Sequence, residues 1–338
     1  MNQSFSVWFD NLGFLSEYVF DINPIAFSIF GKGIAWYGIV ICLGMILAFL
    51  YSSRKAKAEG IDSDNFIDYV LFTVPIGIIG ARLFYVLPSL DEFPDFVSMI
   101  AIWNGGLAIT GGIVLGLITV ICVSLFKKQN FLRLLDAIAP GVLLAQAVGR
   151  WGNFFNGEVF GVETPLPWAM SLEINGVVFA DRHPLFFYEF ALNLLGVLIM
   201  HLMYKKKRYS GQIVSFYLAW YGIIRSLLEL LRDSDYQLGF ELFGIPVLFS
   251  QLITIIMAVV GVSAFVLGFV FKNKFKFLQL YTPLAAEGVE ESAFESEEAP
   301  EEEVAEEIAE ESLPEEEKTK QEENTVSEKE INDDTQNS

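Results

Sequence analysis

The sequence predicts an all-α integral membrane protein with about seven transmembrane helices, an external N-terminus and a cytosolic C-terminus. Three observations predict this fold class. Apolar residues make up 53% of the 338-residue chain, and its mean hydropathy is +0.44. Seven apolar runs approach the length that a bilayer requires, and lysine and arginine collect after every second run. A small external β-hairpin element is also expected.

The spans follow from the apolar runs. A transmembrane helix needs about 20 mostly apolar residues. The fourth run is the shortest and contains Asp136. The predicted spans are Ile34–Tyr51, Ile67–Leu87, Leu107–Phe126, Leu134–Val148, Pro184–Tyr204, Ile213–Leu231 and Pro246–Phe271.

The orientation follows from the basic residues, because lysine and arginine are retained on the cytosolic side of a membrane. The alternate loops carry acidic residues instead. All the basic clusters fall on one side, which therefore faces the cytosol. They are Arg54, Lys55 and Lys57; Lys127, Lys128 and Arg133; Lys205, Lys206, Lys207 and Arg208; and Lys272, Lys274 and Lys276.

Both ends of the chain differ from the membrane body in composition. Residues 1–31 mix aromatic and acidic residues, which is typical of a segment on the membrane surface. Residues 32–276 are predicted to form the seven-helix domain that carries the site, with an external loop at 149–183. Residues 277–338 are predicted to be a disordered cytosolic tail that is dispensable for chemistry. The stretch from Glu287 to Ser338 contains 22 acidic residues and only three lysines.

The external loop contains a hairpin signal. Two short apolar stretches flank Asn175-Gly176, a pair that favours a tight β-turn. Such an element would either cap the membrane body or hold a peptide or a lipid headgroup.

Cysteine and histidine are scarce. Cys42 and Cys122 lie inside apolar runs and are interpreted as buried small hydrophobic residues. The two histidines are far apart and no metal-ligand spacing occurs, so no metal site is expected. No nucleic-acid partner is expected either.

The stretch Gly149–Gly161 is the strongest candidate for a site. Its glycines let a backbone approach a ligand. Arg150 offers a planar fork of donors to a phosphate or carboxylate, and Asn153 and Glu158 add orienting groups. A helix end followed by a loop that binds its own backbone is the simpler interpretation.

Charged residues inside apolar spans are costly, which makes them functional candidates. The predicted orientation puts Arg82, Arg150, Arg225 and Arg232 at one depth near the outer headgroup layer. Arg225 and Glu229 are also spaced as a structural ion pair, and Arg82 could extend to the interface. Four converging arginines favour a phosphate-binding cavity, and phospholipid is the phosphate at that depth.

Three other classes remain open on these residues: a transporter or channel, a non-catalytic scaffold for anionic lipid, and a different lipid-headgroup enzyme. Against a transporter, the charges cluster at one face rather than the midplane. A scaffold would not account for the asparagine and glutamate residues.

The motifs resemble those of the phosphatidylglycerol–prolipoprotein diacylglyceryl transferases of bacterial inner membranes. The segment from Gly149 to Gly161 looks like that family's signature. The similarity covers about Asn23 to Phe271. Further matching motifs begin at Trp36, Gly80, Trp103, Asp136, His183 and Arg225.

The resemblance implies transfer of the sn-1,2-diacylglyceryl group from phosphatidylglycerol to the lipobox cysteine thiol of a prolipoprotein, with release of glycerol 1-phosphate. It implies a multi-pass enzyme of the bacterial inner membrane and no cofactor. One departure is Thr110, where many family members have His or Tyr. A threonine hydroxyl is too weakly basic to act as a general base.

The chemistry suggests roles for the candidate residues. Arg150 and Arg225 would bind the phosphate and favour a thiolate, with Glu229 orienting Arg225. Tyr37 or His183 would transfer a proton. The residues expected to contact phosphatidylglycerol are Arg150, Asn153, Glu158, Gly161, Arg82 and Arg232.

Overall fold

Long helices make up most of the chain. The computed structural model describes residues 4–13, 16–102, 105–232, 239–242 and 245–278. The predicted tail beyond Leu278, residues 233–238 after α7, and Trp103 of the matching motifs therefore lie outside the described residues. The helices are α1 (Trp36–Ala58), α2 (Ser63–Val86), α3 (Phe96–Ile100), α4 (Ile109–Phe126), α5 (Phe131–Phe155), α6 (Leu185–Tyr204), α7 (Gln212–Glu229) and α8 (Phe249–Phe271).

Six of these helices are long and apolar enough to cross a membrane, within the part of the chain that the structure describes: α1, α2, α4, α5, α6 and α8. Many of their large apolar side chains are exposed, as expected for surfaces that contact lipid. The chain is thus a mostly helical, multi-pass membrane protein. The predicted sixth span does form α7, but that helix contains Arg225 and Glu229 and is not among the six.

Helix α5 is central, because it packs against α1, α6 and α7. Its buried residues are mostly small or aliphatic, including Ala137, Leu143 and Ala147. The outer helices form two pairs, α2 with α4 and α7 with α8. Glycines permit both close crossings: a Cβ at Gly80 would lie 2.5 Å from the Gly111 carbonyl, and one at Gly222 would lie 2.5 Å from the Ala258 nitrogen.

Short strands lie between the helices. They are β1 (Phe5–Trp8), β2 (Val19–Ile22), β3 (Ile25–Ile29), β4 (Lys32–Ala35), β5 (Met170–Ile174), β6 (Val177–Arg182), β7 (Gly239–Leu242) and β8 (Ile245–Leu248). An antiparallel sheet has the order β2-β1-β5-β6, and β3–β4 and β7–β8 form separate pairs. Strands β5 and β6 turn at Asn175 and Gly176, which both have positive φ. Segment 1–31 thus contributes strands to the sheet that includes this hairpin.

A buried cluster joins three segments at the first turns of α5. Asp136 is fully buried and accepts hydrogen bonds from the backbone nitrogens of Gly211 (2.7 Å) and Val214 (2.8 Å). Lys207 lies 2.7 Å from the same carboxylate and also pairs with Glu59, which follows α1. Burial raises the pKa of the Glu59 carboxyl, against the effect of Lys207. The carboxylate predicted as an interruption of the fourth span therefore anchors the start of α7.

Two sequence interpretations are corrected here. Cys42 and Cys122 are free and exposed, because they lie on the outer faces of α1 and α4. The glycine-rich stretch is not a turn throughout, since α5 continues to Phe155. Gly152 lies inside this helix and faces Tyr37, whose ring leaves room only for a hydrogen (a Cβ would lie 2.8 Å from Cδ2).

Candidate active site

Two arginines share one buried glutamate where α5 ends, α6 begins and α7 ends. Glu189 is 1% exposed and lies in the first turns of α6. Its Oε1 lies 2.5 Å from Nη2 of Arg150, and its Oε2 lies 3.3 Å from Nη1 of Arg225. The carboxylate therefore fixes both guanidinium groups and the three helix ends that carry them.

A second buried glutamate extends this arrangement. Glu229 lies 2.9 Å from Nη2 of Arg225 and 3.6 Å from Nη1 of Arg232. It also accepts a 2.8 Å hydrogen bond from Ser250 in α8. The contact between Arg225 and Glu229 that the spacing predicted is present. We call Arg150, Glu189, Arg225, Glu229 and Arg232 the arginine–glutamate layer.

The charges of this layer do not cancel. Three guanidinium groups face two carboxylates, which leaves one formal positive charge. Arg150 and Arg225 are largely buried, with side chains 18% and 13% exposed, so water screens that charge poorly. Nε of Arg150 is buried without a hydrogen-bond partner among the described residues. The layer is thus suited to a monoanion such as a phosphodiester.

Asn153 and Glu158 follow Arg150 at the end of α5. Arg150 donates from Nη1 to Oδ1 of Asn153 over 3.1 Å. The chain then turns at Gly157, and the Glu158 nitrogen donates to the Asn153 carbonyl over 2.9 Å. Glu158 is exposed, and Asn156 donates to it over 3.4 Å. The Asn153 and Glu158 side chains therefore lie at the edge of the arginine–glutamate layer, where a ligand can contact them.

Gly161 joins the external segments to α7 through its backbone. Its nitrogen donates to the His183 carbonyl over 2.9 Å, and the residue forms an isolated β-bridge with Arg232. A Cβ at Gly161 would lie 2.5 Å from the Leu231 carbonyl oxygen, so no larger residue fits without movement. The glycine therefore holds His183 and Arg232 close together.

The two candidates for proton transfer occupy different edges of the site. Nδ1 of His183 lies 3.2 Å from the Tyr188 hydroxyl, which accepts a 2.7 Å hydrogen bond from Trp168. Burial lowers the pKa of the His183 imidazole, which favours its neutral form. Tyr37 is half-exposed, and its ring lies against Gly152, half a turn beyond Arg150 on α5.

Arg82 is engaged elsewhere. Its guanidinium donates to four backbone carbonyls, those of Ser98, Met99, Gly105 and Gly106, at 2.7–2.8 Å. Within the described residues it contacts none of the other three arginines. The structure therefore brings together Arg150, Arg225 and Arg232, and it places Arg82 as the support of the loop that leads into α4. Thr110, near the start of α4, is exposed.

The sequence interpretation gave no role to Glu189 or Tyr221. The Tyr221 hydroxyl pairs with Arg150 from α7, and Glu189 bridges the arginines. The available signal for Glu189 was an acidic residue in the first turns of an apolar span. Among the described residues, no group of three or more His, Cys, Asp or Glu side chains is arranged to hold a metal ion.

Comparisons with known proteins identify the family. Residues 24–267 match the family model described as prolipoprotein diacylglyceryl transferase. A relative from Finegoldia magna is 40% identical over 245 residues, covering 71% of this chain and 94% of the relative. Relatives from Streptococcus uberis (39% over 249 residues; 71% and 93%) and Clostridioides difficile (37% over 247 residues; 72% and 95%) are similar. All three are named phosphatidylglycerol–prolipoprotein diacylglyceryl transferase. The chain therefore belongs to the prolipoprotein diacylglyceryl transferase family.

Proposed function

We propose that the protein transfers the sn-1,2-diacylglyceryl group from phosphatidylglycerol to the lipobox cysteine thiol of prolipoproteins. The products are a thioether-linked diacylglyceryl cysteine and glycerol 1-phosphate, and the step is the first in lipoprotein maturation. Support comes from family membership and from relatives that this chain matches over more than nine-tenths of their length. The names of these relatives include both phosphatidylglycerol and prolipoprotein.

The observation that carries the proposal is the positive charge left over in the arginine–glutamate layer. Phosphatidylglycerol carries one negative charge on its phosphodiester, which would neutralise the layer. Arg150 and Arg225 supply the forked donors for the phosphate oxygens, and Glu189 and Glu229 orient those forks before the phosphate binds. Arg232 adds a third donor group beside Glu229.

The reaction forms a sulfur–carbon bond and breaks a carbon–oxygen bond. The cysteine sulfur attacks the phosphate-bearing carbon of the diacylated glycerol, and glycerol 1-phosphate leaves with the bonding pair. The thiol proton ends on the leaving phosphate or in solvent. A positive environment lowers the pKa of a nearby thiol and stabilises the growing charge on the phosphate.

The remaining candidates are given roles around this centre. Asn153 and Glu158 bind the hydroxyls of the headgroup glycerol, while Gly161 keeps His183 and Arg232 in place. His183 or Tyr37 carries the thiol proton. Arg82 acts indirectly, by holding the loop before α4. The protein needs no metal or organic cofactor for these steps.

We further propose a seven-span topology in the bacterial inner membrane, with α7 as the additional span. Its polar residues, Arg225 and Glu229, are largely buried against neighbouring helices rather than facing lipid. The N-terminus and the β5–β6 hairpin lie outside, and the tail lies in the cytosol. The division into segment 1–31, domain 32–276 and tail 277–338 belongs to this proposal, which rests on the basic clusters.

A mass-shift assay tests the function. Purified protein in detergent micelles is mixed with phosphatidylglycerol and a lipobox peptide that contains one cysteine. We expect the peptide to gain the mass of a diacylglyceryl group and glycerol phosphate to appear. A matched peptide with serine in place of cysteine should gain nothing. Failure of the folded protein to modify the cysteine peptide would contradict the proposal.

A further inference from the structure

An unpaired amide lies directly beneath the arginine–glutamate layer. Asn193 follows Glu189 by one helical turn on α6 and is fully buried. Neither its Oδ1 nor its Nδ2 has a hydrogen-bond partner within the described residues. Buried amides are nearly always paired, so two unpaired atoms on one side chain need an explanation.

A second amide lies at the same level on α5. Gln146 precedes Arg150 by one turn, and its Nε2 donates to the Tyr217 hydroxyl over 3.0 Å. Its Oε1 is buried and, like the Asn193 amide, has no partner in the described part of the chain. Tyr217 stacks on Tyr221, which pairs with Arg150. Each of the three helices therefore carries a polar residue one turn below the layer.

The arginine–glutamate layer also presents a conflict between Glu189 and a bound phosphate. The Glu189 carboxylate forms an ion pair with Nη2 of Arg150 at 2.5 Å and accepts a 3.3 Å hydrogen bond from Nη1 of Arg225. These donors are the ones that a lipid phosphate would use. A phosphate that enters must compete with the Glu189 carboxylate, and a displaced carboxylate needs a new donor in a buried site.

We propose that the Glu189 carboxylate occupies the phosphate site before lipid binds. When lipid phosphate displaces it, the Asn193 amide donates a hydrogen bond to this carboxylate. This inference rests on the proposed function. Residues four apart on a helix lie on one face, with Cβ atoms about 5–6 Å apart. Side chains on a helix lean towards its N-terminus, so that of Asn193 leans towards the turn that carries Glu189. Asn193 is thus a positioning residue.

The exchange gives every buried charged group of the site a hydrogen-bond or ion-pair partner. Before binding, Glu189 pairs with the two guanidinium groups, and the Asn193 amide has no hydrogen-bond partner among the described residues. After binding, the phosphate takes guanidinium donors and Asn193 donates to the carboxylate. The Asn193 amide, which has no partner among the described residues, therefore makes its hydrogen bond in the complex.

Phosphatidylglycerol binding tests the inference directly. The dissociation constant is measured by native mass spectrometry on the full chain, for the wild type, Asn193→Leu and Asn193→Ser. Leucine has a similar size without a donor, whereas serine keeps a donor. We expect Asn193→Leu to weaken binding at least about tenfold, the lower end of the usual loss for a hydrogen bond to a charged group, and to leave kcat within about twofold. Asn193→Ser should recover part of the affinity.

Repeating the Asn193→Leu measurement in a Glu189→Gln protein distinguishes a hydrogen bond to the Glu189 carboxylate from a general packing effect. Glu189→Gln removes the charge that must be relocated, so adding Asn193→Leu to it should weaken binding no further. Equal affinities of the wild type and Asn193→Leu would overturn the inference, as would an undiminished effect in the Glu189→Gln background. If Asn193→Leu does not fold, Asn193→Ala and Asn193→Ser, which differ by one oxygen, give the same comparison. Weakened binding by Asn193→Leu beside a wild type that transfers nothing would support the inference and contradict only the proposed function.

Discussion

The most informative single substitution is Arg150→Lys. It keeps the positive charge at the end of α5 and removes the planar fork. In the structure, two separate nitrogens of this guanidinium reach Asn153 at 3.1 Å and Glu189 at 2.5 Å, and Nε is left for a ligand. A lysine has one nitrogen on a shorter side chain, so it can occupy only one of these positions.

The size of the effect follows from the hydrogen bonds that lysine cannot make. Hydrogen bonds to charged groups are each worth about 1.5–3 kcal/mol. Loss of one to two such bonds to the phosphate in the transition state is therefore worth about 1.5–6 kcal/mol, which lowers kcat/KM by roughly tenfold at the low end and by roughly ten-thousandfold at the high end. The assay is the rate of diacylglyceryl transfer to the lipobox peptide at several mole fractions of phosphatidylglycerol.

Arg54→Lys is the matched control. The same chemical change is made near the C-terminal end of α1, where the Arg54 guanidinium donates to the Leu50 carbonyl of its own helix over 3.3 Å. We expect this variant to transfer at the wild-type rate. If Arg150→Lys keeps more than half of the wild-type kcat/KM, the forked phosphate contact is not part of the mechanism.

Four further predictions concern the base, the pH dependence, the fold and the tail. Thr110→Val should keep the transfer rate within about twofold, since the hydroxyl is too weakly basic to act; a loss of more than tenfold would give that hydroxyl a role. Because burial lowers the pKa of His183 below its ordinary 6.5, its imidazole is neutral at pH 7, and transfer should decline only below pH 6.5. This decline should be absent in a pH–rate profile of His183→Gln; an unchanged profile would exclude His183 as the proton carrier. Asp136→Asn should destabilise the protein by about 3–5 kcal/mol in thermal or denaturant unfolding, as expected for breaking a buried ion pair, here with Lys207; an unchanged midpoint would contradict that anchoring role. Deletion of Glu287–Ser338 should leave transfer by the purified enzyme intact, and a large loss would show that the acidic tail takes part.

The apolar runs of the sequence predicted the helices well, because a membrane-spanning segment must satisfy its backbone internally and expose apolar side chains. The predicted span Pro184–Tyr204 and helix α6 differ by one residue. The fourth span was predicted too short, since hydropathy falls at Arg150 while the helix continues to Phe155. Helical hydrogen bonding does not stop where the side chains become polar.

The partners of the charged residues were less accessible from the sequence. Spacing alone predicted the contact of Arg225 with Glu229, because both lie on one helix. The bridge from Glu189 to Arg150 depends on how α5 and α6 are rotated against each other, which a local pattern does not encode. Arg82 looked equivalent to the other arginines, yet it donates to carbonyls of α3 and of the loop before α4.

The buried cluster at Asp136 has a consequence for biogenesis. Its carboxylate is synthesised about seventy residues before Lys207 and the first turn of α7, which supply its donors. During insertion α5 must therefore enter the bilayer with an unpaired acid near one end. Protonation or hydration at that depth lowers the cost of burying this carboxyl group. Glu59 is synthesised earlier still and pairs with the same lysine. The ends of the early helices can thus be locked together only after the α6–α7 connection has left the ribosome, so assembly of the bundle is completed late and from the C-terminal half.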